Sequence, residues 1–396
     1  MTDLRHPPLD GLLVADFTRV LAGPYCALLL ADLGAEVIKV ERPGSGDDTR
    51  AWGPPFRGED ATYFLGLNRD KKSVALDLSV GKDREVAKAI AVQADIVIEN
   101  FTDGVMERHG LDYESLRRDN PEVIYCSVNS YLSAPELPGY DLLLQAASGF
   151  MSITGPSEGP PTKVGVAVLD VLAGLHACVA ILGALRHRER TGEGQQLRVG
   201  LFESSLASLV NQAGNHLMGG VVPQRMGNQH PNIVPYESFE GSDGTFVVAV
   251  GNDKLYRALC EAIGRADLAN DGRFSDNRSR VRYRGELVEA LQREFFQRPV
   301  DHWVSLLADA AVPAAAVRNI DEVFASPEGR ASLLSIPDEN RGSLTMVASP
   351  FTFSHTPLRS DHRPPPSLGQ DTEEIRARFS SGGATAARKE TDDRNS

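Results

Sequence analysis

Residues 11–41 read GLLVADFTRVLAGPYCALLLADLGAEVIKVE, and this stretch decides the fold. Residues 11–16 form a short apolar run typical of a buried strand, and residues 35–41 form a second one. Between them, residues 24–33 have the apolar spacing of a helix, and Gly34 follows as its stop signal. A strand, a helix and a strand in this order predict a parallel β–α–β unit.

The same alternation continues along the chain. Further strands are predicted at residues 73–78, 95–100, 122–128 and 195–199, with a helix at 82–93. The pattern predicts an α/β protein whose large domain is a Rossmann-like doubly wound sheet, with ligands near the carboxyl ends of its strands.

The second half of the chain predicts a smaller domain. A hairpin at 235–250 and helices at 254–263, 284–297 and 300–310 indicate an α+β fold. The predicted division is as follows: large Rossmann-like domain 1–200, linker helix 201–226, small α+β domain 227–318, linker 319–345, return to the large domain 346–379 and disordered tail 380–396.

Composition narrows the function classes. The chain has 396 residues and a net charge of −13, which argues against a nucleic-acid or anionic-membrane partner. An anionic ligand then needs a local basic cluster; Arg42, Arg50, Arg69, Lys71 and Lys72 are candidates, although solvated loops are an equal alternative. Neither histidines nor cysteines have metal-ligand spacing, so no metal site is predicted, and the cysteines are expected to be buried thiols. With no signal peptide and no uninterrupted apolar run of membrane length, we expect a cytoplasmic protein.

Asp170 is the candidate catalytic residue. It lies between an apolar stretch and a helical pattern at 171–190, in which Leu172, Leu175, Val179 and Leu182 share one face. A helix start stabilises an ionised carboxylate, which can attack an activated acyl group. Asp is also a common N-cap residue, and spacing alone favours capping over catalysis.

Several segments, taken in order, resemble the family III CoA-transferases. They are residues 9–18 with Ala22-Gly-Pro24, residues 33–44 and 47–50, Asn68 to Ser73, residues 94–101, Asp170 with Gly174, residues 190–195 and Leu368-Gly369. The resemblance covers nearly the whole chain. It implies that coenzyme A or acyl-CoA is a substrate, with no permanently bound cofactor, and that a small carboxylic acid is the partner substrate. It also implies an interlocked homodimer.

The resemblance places the family's nucleophile on Asp170. Positions that match the family's CoA contacts are Leu21, Ala22, Arg42, Leu76, Asp77, Leu78, Asn100, Phe101, Arg108 and Tyr140. Arg42 is the best electrostatic candidate for the nucleotide phosphates.

The implied reaction moves CoA through an aspartyl–acyl anhydride and an aspartyl-CoA thioester. Backbone N–H groups after Asp170 and the loop 228–230 are candidate donors to the developing oxyanions. One alternative is an α-methylacyl-CoA racemase or epimerase. Those enzymes have His-Asp where this chain has Tyr140-Asp141, so transfer is favoured.

Two further alternatives lie outside this chemistry. A nicotinamide-dependent oxidoreductase is disfavoured because the first strand-to-helix turn, residues 16–24, contains Gly23 but no Gly-rich phosphate loop. A CoA-binding subunit without its own chemistry is the last alternative.

Overall fold

The computed structural model describes residues 6–134 and 137–380. The chain divides into two compact units. Unit 1 comprises Met1–Phe150, Val164–Gly219 and Ser332–Ser396, and unit 2 comprises Met151–Lys163 and Gly220–Ala331. The predicted disordered tail lies outside the described residues beyond Ser380.

Strands are numbered in chain order. They are β1 Leu13–Asp16, β2 Glu36–Glu41, β3 Phe56–Arg57, β4 Asp60–Ala61, β5 Lys71–Ala75, β6 Ile96–Glu99, β7 Ile124–Asn129, β8 Gln195–Gly200, β9 Tyr236–Glu240, β10 Thr245–Ala249, β11 Ala314–Ala316, β12 Leu333–Asp338 and β13 Gly342–Val347.

Helices are numbered in the same way. They are α1 Ala22–Asp32, α2 Thr62–Leu65, α3 Gly81–Gln93, α4 Val105–His109, α5 Tyr113–Leu116, α6 Asp141–Ala147, α7 Phe150–Ile153, α8 Val168–Thr191, α9 Leu201–Ser208, α10 Val210–Leu217, α11 Asp253–Ala262, α12 Ala266–Asn270, α13 Asn277–Arg282, α14 Arg284–Phe295, α15 Val300–Asp309, α16 Ile320–Ala325, α17 Pro327–Ala331 and α18 Thr372–Phe379. Two 3-10 helices occupy Asp48–Ala51 and Gly272–Phe274.

Unit 1 is built on a six-stranded sheet in the order β5-β2-β1-β6-β7-β8. Every neighbouring pair is parallel, with Ala15 of β1 between Ile38 and Val97. The order reverses direction between β1 and β6, as it does at the switch point of doubly wound sheets. All six predicted strands are present, with ends shifted by a few residues, and the parallel α/β sheet is confirmed.

Helix α8 is the central helix of unit 1. It packs against α1, α9 and the sheet through its small residues, including Ala173 and Ala177. The face that these leucines and Val179 share is not the buried one: Leu175, Val179 and Leu182 are exposed in the single chain. Small side chains face inward because α1 comes very close.

By length and composition, α8 is also apolar enough to span a membrane, with a mean hydropathy of 2.1 in its most apolar window. The uninterrupted-run criterion overlooked it because Asp170 and His176 interrupt the apolar residues. Its buried side is packed against α1 and the central sheet, and a core helix of this kind meets the same criterion. The packing therefore favours a core helix.

The predicted linkers are ordered elements. Residues 201–219 form α9 and α10 within unit 1, and residues 319–345 include α16, α17 and most of the β12–β13 hairpin. The C-terminal segment is held by buried charges: Asp70 accepts hydrogen bonds from the Arg363 N–H, at 2.7 Å, and pairs with the His362 ring at 2.8 Å.

Unit 2 has its own core. Strands β9 and β10 form the predicted hairpin and β11 completes an antiparallel sheet, which α11, α14 and α15 cover. Phe239, Phe246, Phe295 and Trp303 form a chain of aromatic contacts there. Across both units the four cysteines are free and buried, as predicted.

Candidate active site

A cavity of about 420 Å³ lies at the carboxyl edge of the central sheet. Its walls are residues 17–19 after β1, residues 39–43 and 45–47 at and after β2, and residues 76–79 after β5. Phe101 after β6, with Val105 and His109 of α4, closes the far side. Strands on both sides of the switch point contribute, which is where doubly wound folds bind ligands.

Two buried ion pairs lie at this end of the sheet, and Lys39 and Asp47 of one pair line the cavity. Lys71 Nζ lies 3.0 Å from Asp16 Oδ2, and Lys39 Nζ lies 3.0 Å from Asp47 Oδ2. Burial opposes the charge on Asp16, but Lys71 and Lys39 outweigh it and hold the pKa of Asp16 below its usual value. Burial lowers the pKa of Lys71 to about 8. The ionised form of each of these buried side chains is therefore stabilised by its salt-bridge partner.

Asp47 and Asn100 fix the turn between β1 and α1. Val20 has a φ of 69°, an uncommon conformation for a β-branched residue. Its N–H donates to Asp47 at 3.2 Å, and the Asn100 amide bonds both the N–H and the C=O of Arg19. Gly23 is required here because an added Cβ would lie 2.3 Å from the Thr18 Cγ2. Strain held by surrounding contacts is characteristic of functional sites.

Asp170 is the third residue of α8, not its N-cap. The helix begins at Val168, and Ala167 in the N-cap position makes no side-chain cap. Asp141 of α6 performs that role, since its Oδ1 accepts the Leu169 N–H at 2.8 Å. The simple capping interpretation of Asp170 is therefore wrong, and its carboxylate has no hydrogen-bond or salt-bridge partner within residues 6–134 and 137–380.

The environment makes Asp170 a carboxyl group with an elevated pKa. Burial, followed by repulsion from Asp141, raises the pKa of Asp170 to about 7. The expected stabilisation of the anion by the helix start is thus outweighed. Asp141 is held in place because its other oxygen accepts the Gln145 Nε2 at 2.6 Å, while Gln145 Oε1 accepts the Val164 N–H at 2.8 Å.

Helix α8 places Asp170 near the first turn of α1. Gly174 lies one turn after Asp170 on the same face of the helix. An added Cβ at Gly174 would lie 2.6 Å from the Ala22 carbonyl oxygen. The nucleophile candidate therefore lies on the face of α8 that adjoins the first turn of α1, beside the predicted contacts Leu21 and Ala22.

Tyr63 is close enough to Asp170, Asp141 and Asp47 for all three charges to act on its hydroxyl. Burial raises the pKa of Tyr63 to about 12, with the charges of Asp170, Asp141 and Asp47 adding in that order. The hydroxyl is consequently protonated at neutral pH and can donate a hydrogen bond. Trp52 packs edge-on against the Tyr63 ring, with centroids 5.6 Å apart.

The structure brings together half of the predicted CoA contacts. Arg42, Leu76, Asp77, Leu78 and Phe101 line the cavity. The Asp77 carboxylate accepts two hydrogen bonds from Ser79, one from its N–H at 2.9 Å and one from its hydroxyl at 2.7 Å.

The other predicted contacts lie around the cavity. Asn100 supports the Arg19 backbone, and Leu21 and Ala22 begin α1. Arg108 is exposed on α4, between the lining residues Val105 and His109, and Tyr140 is an exposed neighbour of Asp141.

Most of the predicted basic cluster does not face a ligand. Arg50 bonds Glu41 and Asp60, and Arg69 bonds Asp32. Lys71 pairs with Asp16, as described above, and Lys72 pairs with Glu36 and Glu374. All five cations thus form salt bridges within the chain, since Arg42 bonds Asp48, and local sequence cannot distinguish such cations from ligand-binding ones.

One predicted oxyanion donor is also wrong. The first N–H after Asp170 belongs to Val171 and donates to the Ala167 carbonyl at 3.2 Å. The loop 228–230 belongs to unit 2, and its role stays a prediction.

Three residues of this site escaped the sequence analysis. Arg19 had a signal, because it directly follows the first strand, but that turn was considered only for its glycines. Tyr63 had none, since it reaches Asp170 only through the fold. Asp141 was noted only beside Tyr140.

A doubly wound sheet with a partly cationic cavity at its switch point, together with a buried carboxyl group of elevated pKa in the same unit, is typical of an α/β enzyme. Sequence comparison identifies the particular family. The model of CoA-transferase family III matches residues 9–372, and the chain belongs to this family.

Relatives agree with this assignment. The chain is 42% identical over 390 residues to the succinate–glutarate CoA-transferase of Agrobacterium fabrum, covering 95% of this chain and 97% of the relative. It is 38% identical over 373 residues to succinyl-CoA:glutarate CoA-transferase of Homo sapiens, covering 93% and 85%. A crystal structure of a CAIB/BAIF family protein from Brucella suis is 40% identical, with a TM-score of 0.83, and the match covers 95% of this chain and 100% of that one. The chain is therefore an enzyme that transfers CoA between an acyl-CoA and a carboxylic acid.

Proposed function

We propose that Asp170 is the nucleophile of this transfer. Its carboxylate attacks the thioester carbonyl, the C–S bond breaks, and an aspartyl–acyl anhydride and CoA thiolate result. The thiolate then attacks the aspartyl carbonyl carbon, and the donor acid leaves as a carboxylate. An acceptor carboxylate attacks the aspartyl-CoA thioester and releases the thiolate. The thiolate attacks the acceptor carbonyl carbon and restores Asp170.

The observation that carries this proposal is the half-buried carboxyl group of Asp170, which has no partner in the described part of the chain, next to the first turn of α1. A structural carboxylate of this burial is normally paired. The elevated pKa fits a group that must be desolvated for attack yet ionised near neutral pH. Tyr63 supports the site as a protonated donor toward the reacting oxygens.

We further propose that the donor and acceptor are short dicarboxylic acids. The support is the pair of relatives named for succinate and glutarate. Racemase chemistry is the second candidate within the fold; it needs an acid–base pair across the α carbon, and this chain has Tyr140 where the racemases have a histidine.

The test is Asp170→Asn, which keeps shape and removes the nucleophile. We expect transfer between succinyl-CoA and glutarate to fall by at least about a thousandfold, the scale of losing a covalent nucleophile. Mass spectrometry of wild-type enzyme incubated with succinyl-CoA alone should find a CoA adduct on the peptide that contains residue 170. Asp267→Asn, at an exposed salt bridge of unit 2, is the matched control and should retain both activity and adduct. Near-normal transfer by Asp170→Asn would end the assignment.

An interlocked homodimer is proposed as the working form. The support is the apolar surface that the single chain exposes: Val179 is 68% exposed on α8, and Val210, Leu217 and Met218 are more exposed still. Large apolar side chains that are exposed on several elements of one unit are consistent with a protein interface. Sedimentation of the wild type should give twice the mass of one chain, and a monomer that transfers CoA at full rate would contradict the proposal.

A further inference from the structure

The cavity contains three cations, and they differ in what they pair with. Lys39 is fully buried and lies 3.0 Å from Asp47. Arg42 bonds Asp48 at 2.6 Å. Arg19 makes no salt bridge or side-chain hydrogen bond with any residue in 6–134 or 137–380. It is thus the cation of this cavity whose charge is least neutralised by the protein.

Arg19 is nevertheless held in place. Its backbone N–H donates to Asn100 Oδ1 at 2.9 Å, and its carbonyl accepts the Asn100 Nδ2 at 2.8 Å. Its guanidinium lies over the Phe101 ring, 4.5 Å from the centroid. A planar guanidinium stacked on an aromatic ring keeps its N–H donors free along its edge. Asn100 and Phe101 therefore preorganise a donor group without using it.

A half-buried guanidinium that has no salt bridge in the described residues and lies near a second arginine is electrostatically unfavourable. An anion that binds there offsets both the desolvation of Arg19 and its repulsion by Arg42, the two effects that lower the pKa of Arg19. The phosphates are the anionic groups that every acyl-CoA carries, whatever its acyl chain. Arg19 offers these a bidentate geometry.

We propose that Arg19, positioned by Asn100 and Phe101, is the principal phosphate-binding residue for the CoA substrate. Arg42 is secondary because it must first give up Asp48. This inference rests on the proposed function for the identity of the ligand. It adds a residue outside the positions that the family resemblance supplied, and it reverses the ranking that favoured Arg42.

Calorimetry of CoA binding tests the inference without requiring transfer. Arg19→Gln should weaken CoA binding about tenfold or more, the loss expected for a charge-assisted contact to phosphate. Arg42→Gln should weaken it less, and Arg186→Gln, on the exposed surface of α8, should not change it. Dephospho-CoA, which lacks the 3′-phosphate, shows which phosphate Arg19 binds. If Arg19→Gln also weakens the binding of dephospho-CoA, Arg19 binds the diphosphate. If the substitution leaves that binding unchanged, Arg19 binds the 3′-phosphate. Equal CoA affinity in wild type and Arg19→Gln would overturn the inference.

Kinetics separates phosphate binding from a structural role. Arg19→Gln should raise KM for succinyl-CoA with little change in kcat, while kcat/KM for the succinyl thioester of pantetheine, which has no phosphate, should match the wild type. An equal fall on both substrates would show a structural role and refute the inference. If Arg19→Gln does not fold, Phe101→Leu tests the same inference, because it retains the arginine and removes the ring on which the guanidinium is stacked. We expect it to raise KM for succinyl-CoA by a smaller factor and to leave kcat/KM for the pantetheine thioester unchanged. Wild-type enzyme that binds CoA but transfers nothing would refute the proposed function and leave this inference standing.

Discussion

The pH dependence of transfer tests the electrostatics of Asp170 and Asp141 together. The pKa of Asp170 is about 7, against an ordinary value of 3.8. The ionised form is the nucleophile, so activity is present above this pKa and is lost as the pH falls through it. At pH 7 about half of Asp170 is ionised, and at pH 6 about one tenth.

Asp141→Asn removes the like charge but leaves burial, the larger cause, in place. We expect the pKa of Asp170 to fall by about one unit, toward pH 6. The ionised fraction at pH 6 then rises to about one half, so kcat/KM at that pH should increase about fivefold, while the change at pH 8 should be small. The variant can still accept the Leu169 N–H but loses an acceptor for Gln145, so some loss of stability is expected.

The assay is kcat/KM for CoA transfer between about pH 5 and 9, with the apparent pKa read from the acid limb. Thermal unfolding of Asp141→Asn separates a folding defect from an altered limb. Asp103→Asn is the control, because its exposed carboxylate lies outside this network. An acid limb near pH 4 in the wild type, or an unchanged limb in a folded Asp141→Asn variant, would refute the reasoning.

Two other substitutions test the same wall of the site. Tyr63→Phe should lower kcat/KM about tenfold with little change in unfolding free energy, since it removes one hydrogen-bond donor from a half-buried position; unaltered kinetics would exclude the hydroxyl from the reaction. Gly174→Ala places a Cβ 2.6 Å from the Ala22 carbonyl oxygen. It should destabilise the protein by about 1–3 kcal/mol in urea unfolding and reduce activity as α1 and α8 separate, whereas a neutral result would show that the helices adjust freely.

Much of the fold was predictable because periodicity acts locally. The six strands of the central sheet alternate with helices, and buried parallel strands produce short apolar runs that need no knowledge of their partners. Periodicity shows which residues of α8 share a face but not which face is buried. Its leucines and valine lie on one face, while the close approach of α1 selects Gly174 and its small neighbours for the interior.

Part of the candidate site could be predicted from the sequence, and part could not. Arg42, Leu76 to Leu78 and Phe101 follow strand ends, and their meeting at one edge follows from parallel topology. The salt bridges that Arg50, Arg69, Lys71 and Lys72 form with carboxylates of the protein could not be predicted. Whether a lysine binds a ligand or neutralises a buried carboxylate depends on partners that are distant in sequence, as Lys71 and Asp16 illustrate.

The sequence alone determined the class of sheet, the family resemblance and the location of Asp170 at the start of a helix. Tertiary structure decided what that carboxyl group experiences: Asp141 caps the helix in its place, Tyr63 approaches across the fold, and burial raises its pKa. It also left Arg19 as the cavity's least neutralised cation. The physical reason is that strands and helices arise from interactions between near neighbours, whereas charge, desolvation and hydrogen-bond pairing depend on which distant residues the fold brings into contact.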